Sequence, residues 1–497
     1  MLSFLNERLS DRLVGMIAGV LMLSACSGSG EPFQDSALLA SQSDSIDEES
    51  EAENQLLAEL NAEVTQLIEL AGGAAGAEAF ILPSSDDYDA IPQDPSNPLS
   101  AEKVELGQLL FHDTAFGNNG NNPDRSDTYS CASCHHAAAG FKAGIPQGIG
   151  EGGDGFGING EARLLAPGFD AGLAADHAMK PDIQPLASPT ILNSAYQEVM
   201  LWNGQFGNPI DGVINNSIDD AILSTAGTPK EANLQRFAGL ETQALAGLGV
   251  HRMNVETDSL LQTSSVYREI YENAYGISSD VDQALENSAK SIAAFERTVL
   301  ANEAPFQQWL RGDSTAMTVA ELAGAKLFFG KANCTDCHRG PALSSEQGAS
   351  AAQMFFSIGF GDFDTEDERI HGSVSDADSR GRGGFTGNPE DNFKFKIPQL
   401  YNLADTNVFG HGARLQSIRE VVEYKNTAIP HASLNDEALS EYFLPLNLSD
   451  EEVGDLTEFL SSALYDANLE RYVPNSVPSG QCIPVNDVIA REDLACE

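Results

Sequence analysis

The chain has 497 residues, of which 27 are Lys or Arg and 74 are Asp or Glu, so its formal net charge is −47. Such a charge repels the phosphates of nucleic acid and anionic lipid headgroups, which argues against DNA or RNA binding. It would attract a cationic partner such as a basic soluble electron carrier, although solubility alone is an equally good reason for it.

The N-terminal residues 1–26 have the pattern of a secretory signal. Arg8 and Arg12 precede an apolar run from Leu13 to Leu23 that is too short to span a bilayer. Leu23-Ser24-Ala25-Cys26 is similar to the lipobox at which bacterial signal peptides are cut and the new terminal Cys is lipidated. We expect export to the periplasm, with lipidated Cys26 anchored in the outer membrane; an ordinary cleaved signal is the alternative.

The segment after the signal changes character at residue 54. Residues 27–53 are rich in Ser, Gly, Asp and Glu, which predicts a disordered acidic tether. From residue 54 to about Ala71 apolar residues recur at helical spacing, so we expect an N-terminal helix within residues 54–77.

The sequence Cys-x-x-Cys-His occurs twice, as Cys131-Ala-Ser-Cys134-His135 and as Cys334-Thr-Asp-Cys337-His338. Two cysteines at this spacing add to the two vinyl groups of one porphyrin, and the following His can ligate the iron. A zinc site or a disulfide redox pair needs no His at that place. The motifs therefore predict two covalently bound haem c groups, with His135 and His338 as iron ligands.

The body of the chain contains a diverged duplication. Gly107-Gln-Leu-Leu-Phe111 precedes the first motif and Gly324-Ala-Lys-Leu-Phe328 precedes the second, each on a helical pattern. Further helices are expected over residues 282–300 and from Ser449 or Asp450 to about 464. The predicted fold is mainly α, with extensive irregular loops and two cytochrome c-like domains, residues 78–303 and 304–470, each holding one haem.

The tail, residues 471–497, contains the two cysteines that remain once the lipid and haem cysteines are assigned. Cys482 and Cys496 are expected to form a structural disulfide, because an exported chain meets an oxidising compartment.

These features together resemble the bacterial di-haem cytochrome c peroxidases, a group that includes the MauG-type enzymes. Beyond the haem motifs, the resemblance rests on ordered segments that include Ser188-Pro-Thr-Ile-Leu-Asn193, Leu201-Trp-Asn-Gly204, Ala294-Phe-Glu-Arg-Thr-Val-Leu300 and Phe409-Gly-His411-Gly412. It implies that the N-terminal haem meets hydrogen peroxide and that the C-terminal haem accepts electrons from a small cytochrome c or cupredoxin. It also implies that Trp202 lies between the two haems.

The resemblance implies a Gln and a Glu beside the first haem, but only the Gln is present. Gln243 matches the Gln, whereas Arg252 stands at the Glu position. Arg cannot act as a general base, though it can stabilise negative charge; His251 beside it could move the proton, and Glu241 is another candidate acid or base. The Gly-rich loop 141–187 is expected to be mobile, and its His177 is the candidate for closing the iron's sixth position.

At the second haem the family places a Met or a Tyr opposite the proximal His. Counted from His411, that position falls at Lys425, with Tyr424 beside it. Tyr424, Lys425 and Met354 are therefore the candidate ligands, and an open site is the further alternative. His411 is expected to contact a propionate or to order the loop between the haems. The family's interdomain calcium is left open, because its Asn ligand is replaced by Ala187.

The sequence supports three functional hypotheses. The first is a di-haem cytochrome c peroxidase that reduces hydrogen peroxide to water with electrons from a small periplasmic redox protein. The second is a MauG-type oxidase that acts on a protein or an organic substrate, which a Tyr at the second iron would favour. The third is a di-haem electron-transfer protein without catalysis, which the absence of the Glu would favour. A homodimer is compatible with each.

Overall fold

The computed structural model describes residues 36–207, 227–256, 258–276, 281–345, 348–364, 367–431 and 439–496. The predicted signal and Cys26 lie outside these residues. The chain divides into two compact units, residues 1–56 and residues 57–497. Within the described residues of the first unit the backbone is helical. The second unit contains both of the predicted cytochrome c domains, whose boundaries stay a prediction.

The fold is mainly helical, as predicted from the sequence. Its α-helices within the described ranges are α1 (Ser36–Ala71), α2 (Ala101–His112), α3 (Gly239–Val250), α4 (Leu260–Thr263), α5 (Ser265–Tyr275), α6 (Val281–Thr298), α7 (Pro305–Leu310), α8 (Val319–Phe329), α9 (Ala351–Met354), α10 (Asp376–Ser379), α11 (Arg382–Thr386), α12 (Ile418–Thr427), α13 (Asp450–Glu458) and α14 (Val488–Asp493). Two antiparallel pairs of two-residue strands accompany them, β1 (Gly153–Asp154) with β2 (Leu164–Leu165) and β3 (Phe355–Phe356) with β4 (Phe395–Lys396). No helix in the described part of the chain is long and apolar enough to cross a membrane.

Helix α1 starts earlier than its apolar pattern predicts. It begins at Ser36, inside the segment 27–53 for which the sequence predicts a disordered tether, and it ends at Ala71 as expected. Residues 36–53 contain no Gly or Pro, the two residue types that most strongly disfavour a helix. The acidic composition of residues 36–53 therefore does not prevent the helix from starting before residue 54.

Side-chain caps fix the start of several helices. Ser100 caps α2 by accepting a hydrogen bond from the backbone of Lys103. Reciprocal capping boxes begin α8, α12 and α13, and in α13 Ser449 is the capping residue. The predicted helix that follows Ser449 is confirmed: α13 continues through a π-helical turn, Phe459–Ala463.

The duplication appears as two similar helix crossings. Helix α2 packs against α6, and α8 packs against α13. A side chain at Gly107 would collide with the carbonyl of Ser291, and one at Gly324 would collide with the carbonyl of Asp455. Both crossings thus need a glycine for close approach of the backbones, and each places a buried phenylalanine, Phe111 or Phe328, four residues later.

The C-terminal tail holds the Gly-rich loop in place. The predicted Cys482–Cys496 disulfide is confirmed. The buried guanidinium of Arg163 donates to the carbonyls of Ile149 and Gly150 at 2.6 and 2.9 Å and pairs with Asp487 of the tail at 3.3 Å. Nearby, the Asp493 carboxylate accepts hydrogen bonds from the backbone N–H groups of residues 156 and 157. These contacts do not agree with the expectation of a mobile loop.

Candidate functional site

The histidines of the two Cys-x-x-Cys-His motifs lie in similar environments. Nδ1 of His135 is 3.4 Å from the carbonyl oxygen of Phe141, and Nδ1 of His338 is 2.8 Å from that of Leu343. Burial lowers the pKa of both imidazoles to about 4, so both are neutral at pH 7. An imidazole whose Nδ1–H donates to a carbonyl keeps its Nε2 lone pair free for a metal. Both histidines can therefore ligate an iron through Nε2.

The first cavity, about 50 Å³, adjoins the first motif. It is lined by Cys131, Cys134 and His135 together with polar side chains of α3 and of the Gly-rich loop. Gln243, Gly247 and His251 stand four residues apart, on one face of α3, and all three line the cavity. Since Gly247 has no side chain, the space between the Gln243 amide and the His251 ring stays open.

His251 is paired with a carboxylate that the sequence did not single out. Its Nδ1 is 2.8 Å from Oδ2 of Asp182, and both residues line the first cavity. Burial opposes a charge on the imidazole, but the Asp182 carboxylate outweighs it and raises the pKa of His251. The pair can hold and release a proton at the cavity wall.

Three predicted site residues do not line the first cavity. Arg252 pairs with the buried carboxylate of Glu151 and donates to the carbonyl of Lys180 at 3.1 Å. Glu241 is a buried partner of Arg297, at 2.6 Å. His177 is exposed, and its Nδ1 accepts a hydrogen bond from a backbone N–H in its own loop. Each of the three side chains is hydrogen-bonded to a partner outside the lining of the first cavity.

A second carboxyl group, Glu296, lines the first cavity. The side chain is 4% exposed, and its Oε2 has no hydrogen-bond partner among the described residues. Burial raises its pKa to about 8, with the Glu241 charge adding to the effect, so the group is mostly protonated at neutral pH. Its place directly after the apolar stretch 292–295 is the signal that could have marked it.

The second cavity, about 210 Å³, adjoins the second motif and is largely apolar. Cys337 and His338 line it, and so do Trp202 and His411. The Trp202 indole N–H donates to the carbonyl of Ala187 at 2.7 Å, and its ring centroid is 6.3 Å from that of His411. Trp202 therefore belongs to the wall of the second cavity; it does not line the first.

His411 is fixed by two neighbours. Its Nε2 is 3.2 Å from Oδ1 of Asp362, and its ring stacks on Phe395 with centroids 3.7 Å apart. The residue is only 2% exposed, and burial lowers its pKa. These contacts hold the His411 ring in one orientation in the wall of the second cavity.

The three candidates for the second iron's distal ligand are placed differently. Lys425 lines the second cavity. Tyr424 does not, and its hydroxyl donates to the carbonyl of Ile358 at 2.6 Å. Met354 is buried beside Val199 and Phe355, away from the cavity lining.

Two further lysines, Lys142 and Lys396, line the second cavity, and sequence reasoning missed both. Their amines donate to the carbonyls of Val408 and Val199. Burial lowers their pKa, to about 8 and to about 7 respectively. Neither lysine is in an ion pair with a residue in the described ranges. Two buried amines without a carboxylate partner fit the two propionates of a haem.

Within the described residues, no group of three or more His, Cys, Asp or Glu side chains is placed to hold a metal ion. The carbonyl of Ala187, at the family's calcium position, accepts the Trp202 indole hydrogen bond. A calcium ion stays an open prediction.

Comparisons with known proteins agree with the two motifs. A family model described as "Di-haem cytochrome c peroxidase" matches residues 101–315. Among curated relatives, the cytochrome-c peroxidase IdrP1 of Pseudomonas sp. is 26% identical over 75% of this chain and 83% of the relative. The methylamine utilization protein MauG of Methylorubrum extorquens is 24% identical over 75% and 81%. The cytochrome c551 peroxidase of Nitrosomonas europaea is 24% identical over 76% and 87%.

Proposed function

From the premise that this chain is a cytochrome-c-peroxidase-type oxidoreductase of the di-haem cytochrome c peroxidase and MauG family, as its sequence predicted, we propose that it reduces hydrogen peroxide to water with electrons from a small periplasmic redox protein. The observation that carries the proposal is the His251–Asp182 pair, which lines the same cavity as His135. It supplies the proton-moving group that the chain lacks at position 252.

The family implies haem cofactors, and the two motifs are their proposed attachment points. Cys131 and Cys134 would bind one haem through thioethers, and Cys334 and Cys337 would bind the other. His135 and His338 would each offer Nε2 to an iron. When bound, the first haem supplies the iron at which the O–O bond of peroxide is cleaved.

The first cavity is arranged for proton transfer during that cleavage. With peroxide in this cavity, His251 would accept one of its protons at Nε2 and return that proton to the departing oxygen, which would leave as water. Asp182 orients the ring and would stabilise its charged form. The Gln243 amide lines the same cavity and would donate a hydrogen bond to the peroxide. The balance is one peroxide, two protons and two electrons for two waters.

The second cavity is proposed as the electron entry. Its wall is mostly aromatic and aliphatic, and it contains Trp202 together with His411 from the segment that follows the second motif. A MauG-type reaction would be favoured by a Tyr at the second iron. The hydroxyl of Tyr424 instead donates a hydrogen bond to the carbonyl of Ile358, which favours the peroxidase reaction over the MauG-type reaction.

The donor is proposed to be a small basic cytochrome c or a cupredoxin, because the net charge of −47 would attract a cationic partner. We propose that the enzyme works in the periplasm, where lipidated Cys26 would tether it to the outer membrane.

The test is a stoichiometric assay on the holoprotein carrying both haems. A reduced basic cytochrome c is mixed with the protein, and hydrogen peroxide is then added. We expect two cytochromes oxidised per peroxide, at a rate that falls as salt screens the charge attraction. A haem-replete protein that oxidises no cytochrome on peroxide addition would refute the proposal.

A matched pair of variants separates the proposed proton carrier from another His of the same region. His177→Ala alters an exposed residue and should leave the rate unchanged. His251→Ala removes the imidazole from the cavity wall and should slow the reaction with peroxide, without changing haem content.

A further inference from the structure

Lys425 presents its side chain to the cavity that contains His338. Ile418, Val421 and Lys425 all line this cavity. Their spacing of three and four residues places them on one face of α12. The inner face of α12 is therefore apolar along its length and ends in a single amine.

The Lys425 amine makes no hydrogen bond and no ion pair with a residue in the ranges that the structure describes. Nζ of Lys425 lies over the ring of Phe443, 5.1 Å from its centroid. The other two lysines of the cavity, Lys142 and Lys396, both donate to backbone carbonyls. Once deprotonated, a lysine amine can donate its lone pair to a metal ion such as a haem iron.

The competing side chains are engaged elsewhere. The ring of Tyr424 packs against Phe360 and Phe443, and its hydroxyl is bonded to the carbonyl of Ile358. Met354 lies in a separate buried cluster. Neither one lines the cavity, so Lys425 is the candidate that lines the same cavity as His338.

We propose that the amine nitrogen of Lys425 is the second axial ligand of the haem iron bound by His338. This inference rests on the proposed haem attachment at Cys334 and Cys337, but not on the reaction with peroxide. Nitrogen ligands on both faces would keep the second haem low-spin and closed to peroxide. Its reduction potential would lie below that of a Met-ligated haem.

The test is spectroscopic and uses the oxidised holoprotein. Haem content is counted first, and electron paramagnetic resonance with near-infrared magnetic circular dichroism then identifies the ligands of each haem. We expect two haems per chain: a high-spin haem at the first motif and a low-spin haem with the histidine–amine signature at the second.

Three variants assign that signature to a residue. Lys425→Ala should convert the low-spin haem to high-spin. Lys425→Met should replace the amine signature with that of histidine–methionine ligation and raise the potential of that haem. Tyr424→Phe is the matched control and should change neither.

The proposal is overturned if Lys425→Ala keeps the low-spin signal or if Tyr424→Phe loses it. A wild-type spectrum in which the second haem has methionine or tyrosine ligation, or is high-spin, overturns it as well, whether or not the variants fold. A count of one haem per chain would refute the proposed haem attachment instead.

Discussion

The two cavities each contain a histidine paired with an aspartate, and the two pairs behave differently. In the first cavity His251 is half-buried, and Asp182 raises its pKa. In the second, His411 is 2% exposed and stacked on Phe395, and burial lowers its pKa despite the contact with Asp362. The aspartate contacts differ as well: Asp182 lies 2.8 Å from His251 and is 10% exposed, whereas Asp362 lies 3.2 Å from His411 and is 37% exposed. A closer and more buried carboxylate stabilises a charged imidazole more strongly, so the same two side chains can serve as a proton carrier or as a fixed wall.

The largest expected effect separates the two histidines directly. His251→Ala should lower the second-order rate constant for peroxide by about 10²- to 10⁴-fold, the usual contribution of a general acid–base group. His411→Ala should leave that constant unchanged, because the ring lies in the other cavity. Stopped-flow measurement of the first haem's reaction with peroxide gives both values. Equal losses in the two variants would contradict the division of roles.

The next effect tests whether the two helix crossings are equivalent. Gly107→Ala and Gly324→Ala should each destabilise the protein by roughly 1–3 kcal/mol, because the new methyl group meets a backbone carbonyl of the neighbouring helix. Gly454→Ala is the control, since a Cβ there has nothing within 4 Å. It should be neutral or stabilising by up to about 1 kcal/mol. Chemical denaturation of the three holoproteins measures the differences.

A smaller effect concerns the pH dependence of the first cavity. His251 must be neutral to accept a proton from peroxide, so activity falls on the acidic side as the imidazole becomes charged. The Asp182 carboxylate raises the pKa of His251. Asp182→Asn removes that charge, lowers the pKa of His251 and should move the acidic limb of the rate profile to lower pH. An unshifted limb would show that His251 is not the titrating group.

The smallest effect concerns the charge environment of the second cavity. Lys396→Met removes an amine that carries a positive charge below its pKa of about 7, and positive charge beside the proposed second haem favours the reduced state. The midpoint potential of that haem should fall by on the order of tens of millivolts, while the midpoint potential of the first haem should stay unchanged. Lys331→Met, at an exposed ion pair with Glu452, is the control and should shift neither potential. Spectroelectrochemical titration resolves the two haems.

Local patterns in the sequence predicted much of the fold. The haem motifs, the two Gly-x-x-Leu-Phe helices, the helix that follows Ser449 and the disulfide between Cys482 and Cys496 are all signalled by nearby residues or by residue type alone. The start of α1 at Ser36 differs from the prediction, because an acidic composition predicts disorder whereas residues 36–53 contain no Gly or Pro to stop a helix.

The site was harder to predict, because its contacts join distant parts of the chain. Asp182 and His251 are 69 residues apart, and nothing in the Gly-rich loop marks Asp182 before folding brings the two together. Arg252 and Glu241 were chosen for their charge, but each is held by a buried partner, Glu151 or Arg297. Residue type gave the candidates, and only the packing separated those that line a cavity from those that do not.

The contact between the tail and the Gly-rich loop implies an order of assembly. Asp487 and Asp493, which hold this loop, follow both haem motifs in the chain. Because a chain is synthesised from its N-terminus, the loop beside Cys131 and Cys134 stays unpinned until the second motif has been made. Haem would then reach the first pair of cysteines before the tail fixes the loop. Through Arg163 and Asp487 the tail fixes Gly150, which lines the first cavity, only after the whole chain has been made.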